Sequence, residues 1–301
     1  MTSRPLAILE APSVLGLFPG GVETLPDALL AAGLAAGIGA RHAGRVAPPP
    51  YDPARDSQTG LLNPRGIADY SAALADALGP LLDSSSVPVV LGGDCSILLG
   101  CLLALRRRGR YGLLFLDGHA DFYQPEAEPK GEAASMELAL ATGRGPAIVA
   151  DLEGLGPLVQ DADVVVLGRR DAAEADSQGS QRIEETGIAM LDLTAVRTIG
   201  AGAAAARALG HLSTTAAAGF WVHLDADVLD DAVMPAVDYR MPDGLSWGEL
   251  STILAAAAAS GRMVGIDVTI FNPRFDTQGD VARKFVEALT AGLAARSAGR
   301  R

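Results

Sequence analysis

The chain has 301 residues, of which 49% are hydrophobic and 20% charged, with a formal charge of −12. This describes a folded chain with a sizeable core, and it excludes a disordered protein or a basic nucleic-acid surface. Cys95 and Cys101 are the two cysteines, too few for a disulfide framework and suited to a reducing compartment. Met1-Thr2-Ser3-Arg4-Pro5 lacks an apolar signal region, and no apolar run reaches bilayer length, so a cytoplasmic protein without a membrane partner is expected.

Leu6 to Leu9 is an apolar strand, followed by a Gly/Pro-rich loop from Glu10 to Gly21. Pro26 and Asp27 open a helix running to about Ile38, and Val46 to Asn63, with three consecutive prolines, is a loop. Asn63-Pro64 reads as an N-cap with proline at the first helical position. Ile67, Tyr70, Leu74, Leu78 and Leu81 then recur at helical spacing. Val87 to Leu91 is a buried strand, turned by Gly92-Gly93-Asp94-Cys95-Ser96 into a helix from Ile97 that Arg106-Arg107-Arg108 closes as a solvated terminus. The turn lacks a phosphate-loop lysine and a dinucleotide fingerprint.

A strand from Gly112 to Asp117 leads into a polar loop, Phe122 to Ser135, and a helix from Met136 to Thr142. Val164 to Leu167 and Ile188 to Leu191 are further strands, separated by an acidic helix from Ala172 to Glu185. Thr194 to Leu209 reads as one helix, Gly219 to Asp225 as a strand, and Ser246-Trp247-Gly248-Glu249 as a capping box opening a helix to Ala259. Val264 to Val268 is the last strand and Asp280 to Ala295 the closing helix. Strands alternating with helices predict a mainly parallel sheet covered on both faces, in one domain over 1–301.

Two stretches carry metal-ligand chemistry. In Asp117-Gly118-His119-Ala120-Asp121, and again in His223-Leu224-Asp225-Ala226-Asp227, acids and imidazoles stand at every second position, which in an extended chain places each set on one face. Solvated strand ends account for one such cluster. Two, with four carboxylates facing each other, call for divalent cations to relieve the repulsion.

Together with Pro12-Ser13, Leu15-Gly16-Leu17, Gly21-Val22-Glu23, Gly92-Gly93-Asp94, Gly168-Arg169-Arg170-Asp171, Asp230 and Asn272-Pro273, these motifs resemble the ureohydrolase family of arginases, agmatinases and formimidoylglutamases. The resemblance spans nearly the whole chain. It implies a three-layer α/β/α sandwich, a trimer or hexamer, a small-molecule substrate and two divalent ions, manganese in the family. Carried over, Asp117 and Asp225 bridge the ions, Asp121 and Cys95 complete one shell, and His119 and Asp227 complete the other. Asp121 is also read as catalytic.

This sequence departs from the family pattern in three places. The family reads Gly-Gly-Asp-His-Ser where Cys95 stands; a thiolate favours zinc or iron(II). A cysteine there is similar to that of hydrolases acting on N-hydroxyarginine, so Cys95 is read as a ligand, with a small buried apolar residue as the alternative. Ala134 occupies the place of the arginase proton-shuttle histidine, with His223 as a substitute catalytic group or as a residue that only orients a carboxylate. Ile270 stands where the family has the glutamate that pairs with the guanidinium. Candidate substrate contacts are Lys130, Glu132, Thr269 and Ile270; Tyr123, Gln124 and Glu126 share the loop of Lys130 and Glu132, and Glu174 and Asp176, beyond Arg170-Asp171, are options for the acidic contacts the family makes to the substrate amine. His42 and His211 receive no role. The leading expectation is a binuclear hydrolase cleaving a C–N bond of a linear guanidino, hydroxyguanidino or amidino compound. The rivals are a catalytically silent metal-binding homologue acting as a subunit or sensor, and a single-zinc deacetylase-like amide hydrolase.

Overall fold

Runs of five or six Val, Leu and Phe residues, too short for helices and bounded by turn residues, bury both faces only inside a covered parallel sheet. In the computed structural model, which describes residues 4–84, 86–215 and 218–294, they do so. In chain order the elements are β1 (Leu6–Glu10), α1 (Leu25–Ala31), α2 (Leu34–Gly37), β2 (Arg41–Arg45), α3 (Pro64–Asp83), β3 (Val87–Leu91) and α4 (Ile97–Arg106). There follow β4 (Gly112–Leu116), α5 (Glu137–Ala141), α6 (Ala147–Ala150), β5 (Val164–Leu167), α7 (Ala172–Gln178), β6 (Ala189–Leu191), α8 (Leu193–Ile199) and α9 (Ala201–Thr215). The last are β7 (Phe220–Asp225), α10 (Trp247–Ala259), β8 (Met263–Thr269) and α11 (Asp280–Ala294). Ala295, the expected end of the closing helix, and Met1, Thr2 and Ser3 lie outside the described residues.

The eight strands form one sheet in the order β2-β1-β3-β8-β7-β4-β5-β6, and every pair is parallel. Alternate strand residues feed two cores. Ile8, Val89, Leu114, Val165 and Val222 pack under α1, α9, α10 and α11; Leu9, Val90, Phe115, Val166 and Trp221 pack under α3, α4, α5 and α6. The fold is therefore the expected α/β/α sandwich. Strand order switches direction around β8 and β7, and loops from the carboxyl ends of the central strands converge there, the usual ligand position of an open parallel sheet.

Several local expectations need correction. The helix expected from Pro26 to Ile38 is broken at Gly33 (φ 95°), and the one from Thr194 to Leu209 at Gly200 (φ 83°), because glycine enters the left-handed region without strain. The acidic helix ends at Gln178, where left-handed Gly179 stops it. Asn63 precedes α3, but its side chain accepts from the Asp52 amide and donates to the Leu15 carbonyl instead of capping. β2 has no apolar run; it is an edge strand, tied to β1 through Glu10, which meets His42 at 2.5 Å and Arg45 at 2.8 Å. Arg107 and Arg108 are not merely solvated, since they pair with Asp76, Glu153 and Asp83.

Two glycines set the backbone that carries the site. A Cβ on Gly93 would stand 1.8 Å from the Ser13 carbonyl oxygen, and one on Gly265 would stand 2.0 Å from the Trp221 ring. Gly265 thus lets Trp221 lie across β8. Gly265→Ala is expected to cost about 1–3 kcal/mol through overpacking, whereas Gly248→Ala, in open space on α10, gains up to about 1 kcal/mol in helix propensity. Thermal melts of the two variants check this, and equal midpoints would contradict it.

Candidate metal centre

The expected ligands do converge, but not by strand alternation. β4 ends at Leu116, and beyond it the chain bends: the His119 amide donates to Asp117 Oδ1 at 2.6 Å, and Asp121 takes φ 44°. After β7 the chain enters a 3₁₀ turn, Ala226–Val228, with the Asp227 amide donating to Asp225 Oδ1 at 2.7 Å. Carboxylates that accept their own loop's amides fix each bend.

Ligand atoms of Asp117, His119 and Asp227 lie within 4.8 Å of one another, as do those of Asp117, Asp121 and Asp225. The two groups share Asp117, so they describe adjacent cation sites. Cys95 falls into a third such group with His223 and Asp225, its Sγ 2.9 Å from Asp225 Oδ2. All six expected ligands are therefore brought together, with all but His119 buried.

Glu137 is a site residue that the sequence reading passed over. It opens α5, is fully buried, and shares one group with Cys95 and Asp121 and another with Asp117 and His223. It looked like an ordinary acid in a helix first turn. The available signal was a lone charge in the apolar run Met136-Glu137-Leu138-Ala139-Leu140.

Burial and mutual repulsion shift the acids of this centre strongly. Burial, then Asp227, raises the Asp117 pKa to about 6. Burial and neighbouring carboxylates push Asp121, Glu137 and Asp225 well above the carboxylate range, and burial and Asp225 push the Cys95 thiol well up. Burial also opposes the charge on Asp227, but His119, 3.0 Å away, outweighs it and holds Asp227 low. Among the described residues, Asp117 Oδ2, both Glu137 oxygens and His223 Nε2 are buried without a hydrogen-bond partner. Orphaned acceptors in overlapping ligand groups fit divalent cations.

His223 lies at the floor of the site. Its Nδ1 meets Asp267 Oδ2 at 2.5 Å, its ring stacks on Phe115 at 4.7 Å, and it lines no part of the cavity above. Asp267 also accepts from Trp221 Nε1 at 2.5 Å. Thr269 turns away from substrate space, towards Cys95 Sγ and the Leu224 carbonyl.

The cavity over the ligands measures about 450 Å³. Its walls include the carboxylates of Asp121, Asp171, Asp225, Asp227, Glu128, Glu132 and Glu174, set against Lys130 and His119. Lys130 is engaged already: its Nζ donates to Tyr239 Oη at 2.7 Å and sits 4.7 Å from that ring's centre. Tyr239 in turn donates to Glu132 at 2.5 Å. Ile270 also lines the cavity, in the left-handed region at φ 67°, a strained conformation for a β-branched residue and of a kind that collects at functional sites. Ala134 is part of the wall and cannot titrate.

An α/β/α sandwich with a carboxylate-rich candidate cation site at its strand ends places the chain among α/β proteins whose site lies at the carboxyl ends of a parallel sheet. A model of the arginase family matches residues 5–297, and the chain belongs to that family. It is 26% identical over 292 residues to an arginase of Staphylococcus aureus (strain COL), covering 94% of this chain and 95% of that one. The solved arginase of Bacillus caldovelox superposes with a TM-score of 0.86 at 25% identity, covering 96% of this chain and 98% of its own. Proclavaminate amidinohydrolase from Streptomyces clavuligerus shares the fold, with a TM-score of 0.71 at 20% identity over 99% of this chain and 93% of its own.

The raised carboxylates fix the sign of the pH dependence. With a pKa of about 6 in the fold against about 3.9 when unfolded, Asp117 keeps a proton that the unfolded chain releases. Its stabilising contribution is complete below about pH 4 and is lost as pH rises through about 6; Asp121, Glu137 and Asp225 carry the loss further up. Metal-free protein is therefore expected to melt at lower temperature as pH rises through this window, and manganese to flatten the slope. Melting curves with chelator and with manganese check this; a metal-free midpoint that rises with pH there would contradict it.

Proposed function

We propose that this chain is a binuclear metal-dependent hydrolase that cleaves a C–N bond in a linear, cationic guanidino, hydroxyguanidino or amidino compound. The observation that carries it is the pair of ligand groups sharing Asp117, open to an acid-walled cavity. Similarity to arginases over nearly the full chain supports the reaction class.

Asp117, His119 and Asp227 would hold one ion, and Asp121, Asp225 and Cys95 the other, with Asp117 common to both groups. A pair of divalent cations, manganese by family, supplies Lewis acidity and lowers the pKa of water beside the substrate. The protein's own residues do the rest. Carboxylates on the walls attract and orient a cation, with Glu132, buried and fixed by Tyr239, as a contact for the substrate's charged end. Ile270 offers shape instead of a charge-assisted bond, which favours a less basic head group than guanidinium. Asp121 lines the cavity, so it is positioned to pass a proton to the leaving amine. His223, beneath the ligands, orients Asp267 and is not the proton shuttle.

Asp117→Asn and Asp225→Asn are each expected to lower turnover by more than about 10–100-fold, the loss that follows even from removing an outer partner of a metal ligand, in assays of urea or amine release. Activity retained in either variant would sink the proposal. Glu132→Gln is expected to raise KM about tenfold with little change in kcat, the loss of one charge-assisted contact; an unchanged KM would remove Glu132 from substrate binding. The rival, a silent homologue, draws on Ala134 and Ile270, and hydrolysis of one compound of this class removes it.

A further inference from the structure

Glu137 has no place in the ligand set carried over from the family, and nothing in the proposed chemistry so far uses it. Its carboxylate is fully buried, no side-chain donor among the described residues reaches it in good geometry, and its close neighbour Asp121 is a second acid that can pair with it only by sharing a proton. A charged carboxylate in that condition is strongly disfavoured unless a cation compensates it. The nearest cationic candidate is His223, whose Nε2 stands 3.9 Å from Oε1, beyond hydrogen-bond reach. His223 already has a partner in Asp267.

Placement separates a ligand from a stray acid. An oxygen of Glu137 lies within 4.8 Å of both Cys95 Sγ and an Asp121 carboxylate oxygen, and Asp121 belongs in turn to the group with Asp117 and Asp225. Glu137 therefore sits on the Asp121 side of the centre and not on the side of His119 and Asp227. It is also the side where Cys95 stands, and a thiol reaches less far from its backbone than the imidazole it replaces. Resting on the binuclear reading, we infer that Glu137 is an additional metal ligand, completing with Cys95, Asp121 and the bridging carboxylates the shell of the ion on that side. The shell is then dominated by carboxylate oxygen, a donor set that suits manganese in spite of the sulfur.

The test compares wild type with Glu137→Gln, which keeps the shape and removes the charge. Both proteins are stripped with chelator and reloaded with manganese alone. Retained metal is measured by elemental analysis after gel filtration, and the manganese-induced rise in thermal midpoint is recorded. Wild type is expected to keep about two ions per chain and Glu137→Gln about one, or to bind the second at least about tenfold more weakly. Metal-free Glu137→Gln is expected to be no less stable than metal-free wild type, because an uncompensated buried carboxyl has been removed. Two ions bound by both proteins with equal affinity would overturn the assignment and leave the binuclear reading standing. No retained ion in wild type would defeat the reading itself. If Glu137→Gln does not fold, anomalous diffraction from manganese-loaded wild-type crystals decides: a Glu137 oxygen at coordination distance supports the assignment, and one beyond it overturns it.

Discussion

The structure depends on one unfavourable fact, the crowding of Asp117, Asp121, Glu137, Asp225 and Asp227 in a buried space at the end of the central strands. Like charges out of water repel strongly, and each carboxylate also loses its hydration. Among the described residues the closest cationic partner is His119, 3.0 Å from Asp227 and 3.6 Å from Asp117; Asp117, Asp121 and Asp225 still have their pKa values raised. Divalent cations, which would compete with protons for the same oxygens, are the natural compensation for so many acids held together, and the proposed function rests on that.

Much of the remaining structure serves to hold these loops still. Asp94 accepts from Ser13 Oγ and the Ser96 amide, pinning the amino-terminal loop against the turn that carries Cys95, and Gly93 permits the close approach. Arg170 donates to the carbonyls of Asp227 and Leu229, while Asp171, clamped by Arg169, accepts from the Ala120 amide. Below, Trp221 and His223 of β7 hold the Asp267 carboxylate of β8. These contacts explain why motif residues that touch no candidate cation accompany those that do: they set where the carboxylates point.

The sandwich was legible because buried parallel strands have a plain signature, and the candidate cluster because acids and histidines recur at such spacing in two strand-end motifs that the fold brings together. The reason offered for their convergence was incomplete: Asp117, His119 and Asp121 meet through a bend and a left-handed residue, not through an extended strand. β2 was hidden because an edge strand such as Arg41-His42-Ala43-Gly44-Arg45 needs no apolar face. Glu137 was hidden because a first-turn acid on a helix is unremarkable until its neighbours are known, and Thr269 was misassigned because sequence cannot show which way a strand-end hydroxyl turns. Long-range neighbours decided each of these points.

The most direct measurement is product release by manganese-loaded wild-type protein across a panel of arginine, agmatine, N-hydroxyarginine and formimino compounds, with and without chelator. If the buried acids serve a hydrolytic centre, at least one compound releases urea or its amine counterpart, and chelation abolishes that release. Protein that holds its manganese and hydrolyses none of them would contradict the account and make this family member a metal-binding subunit or sensor.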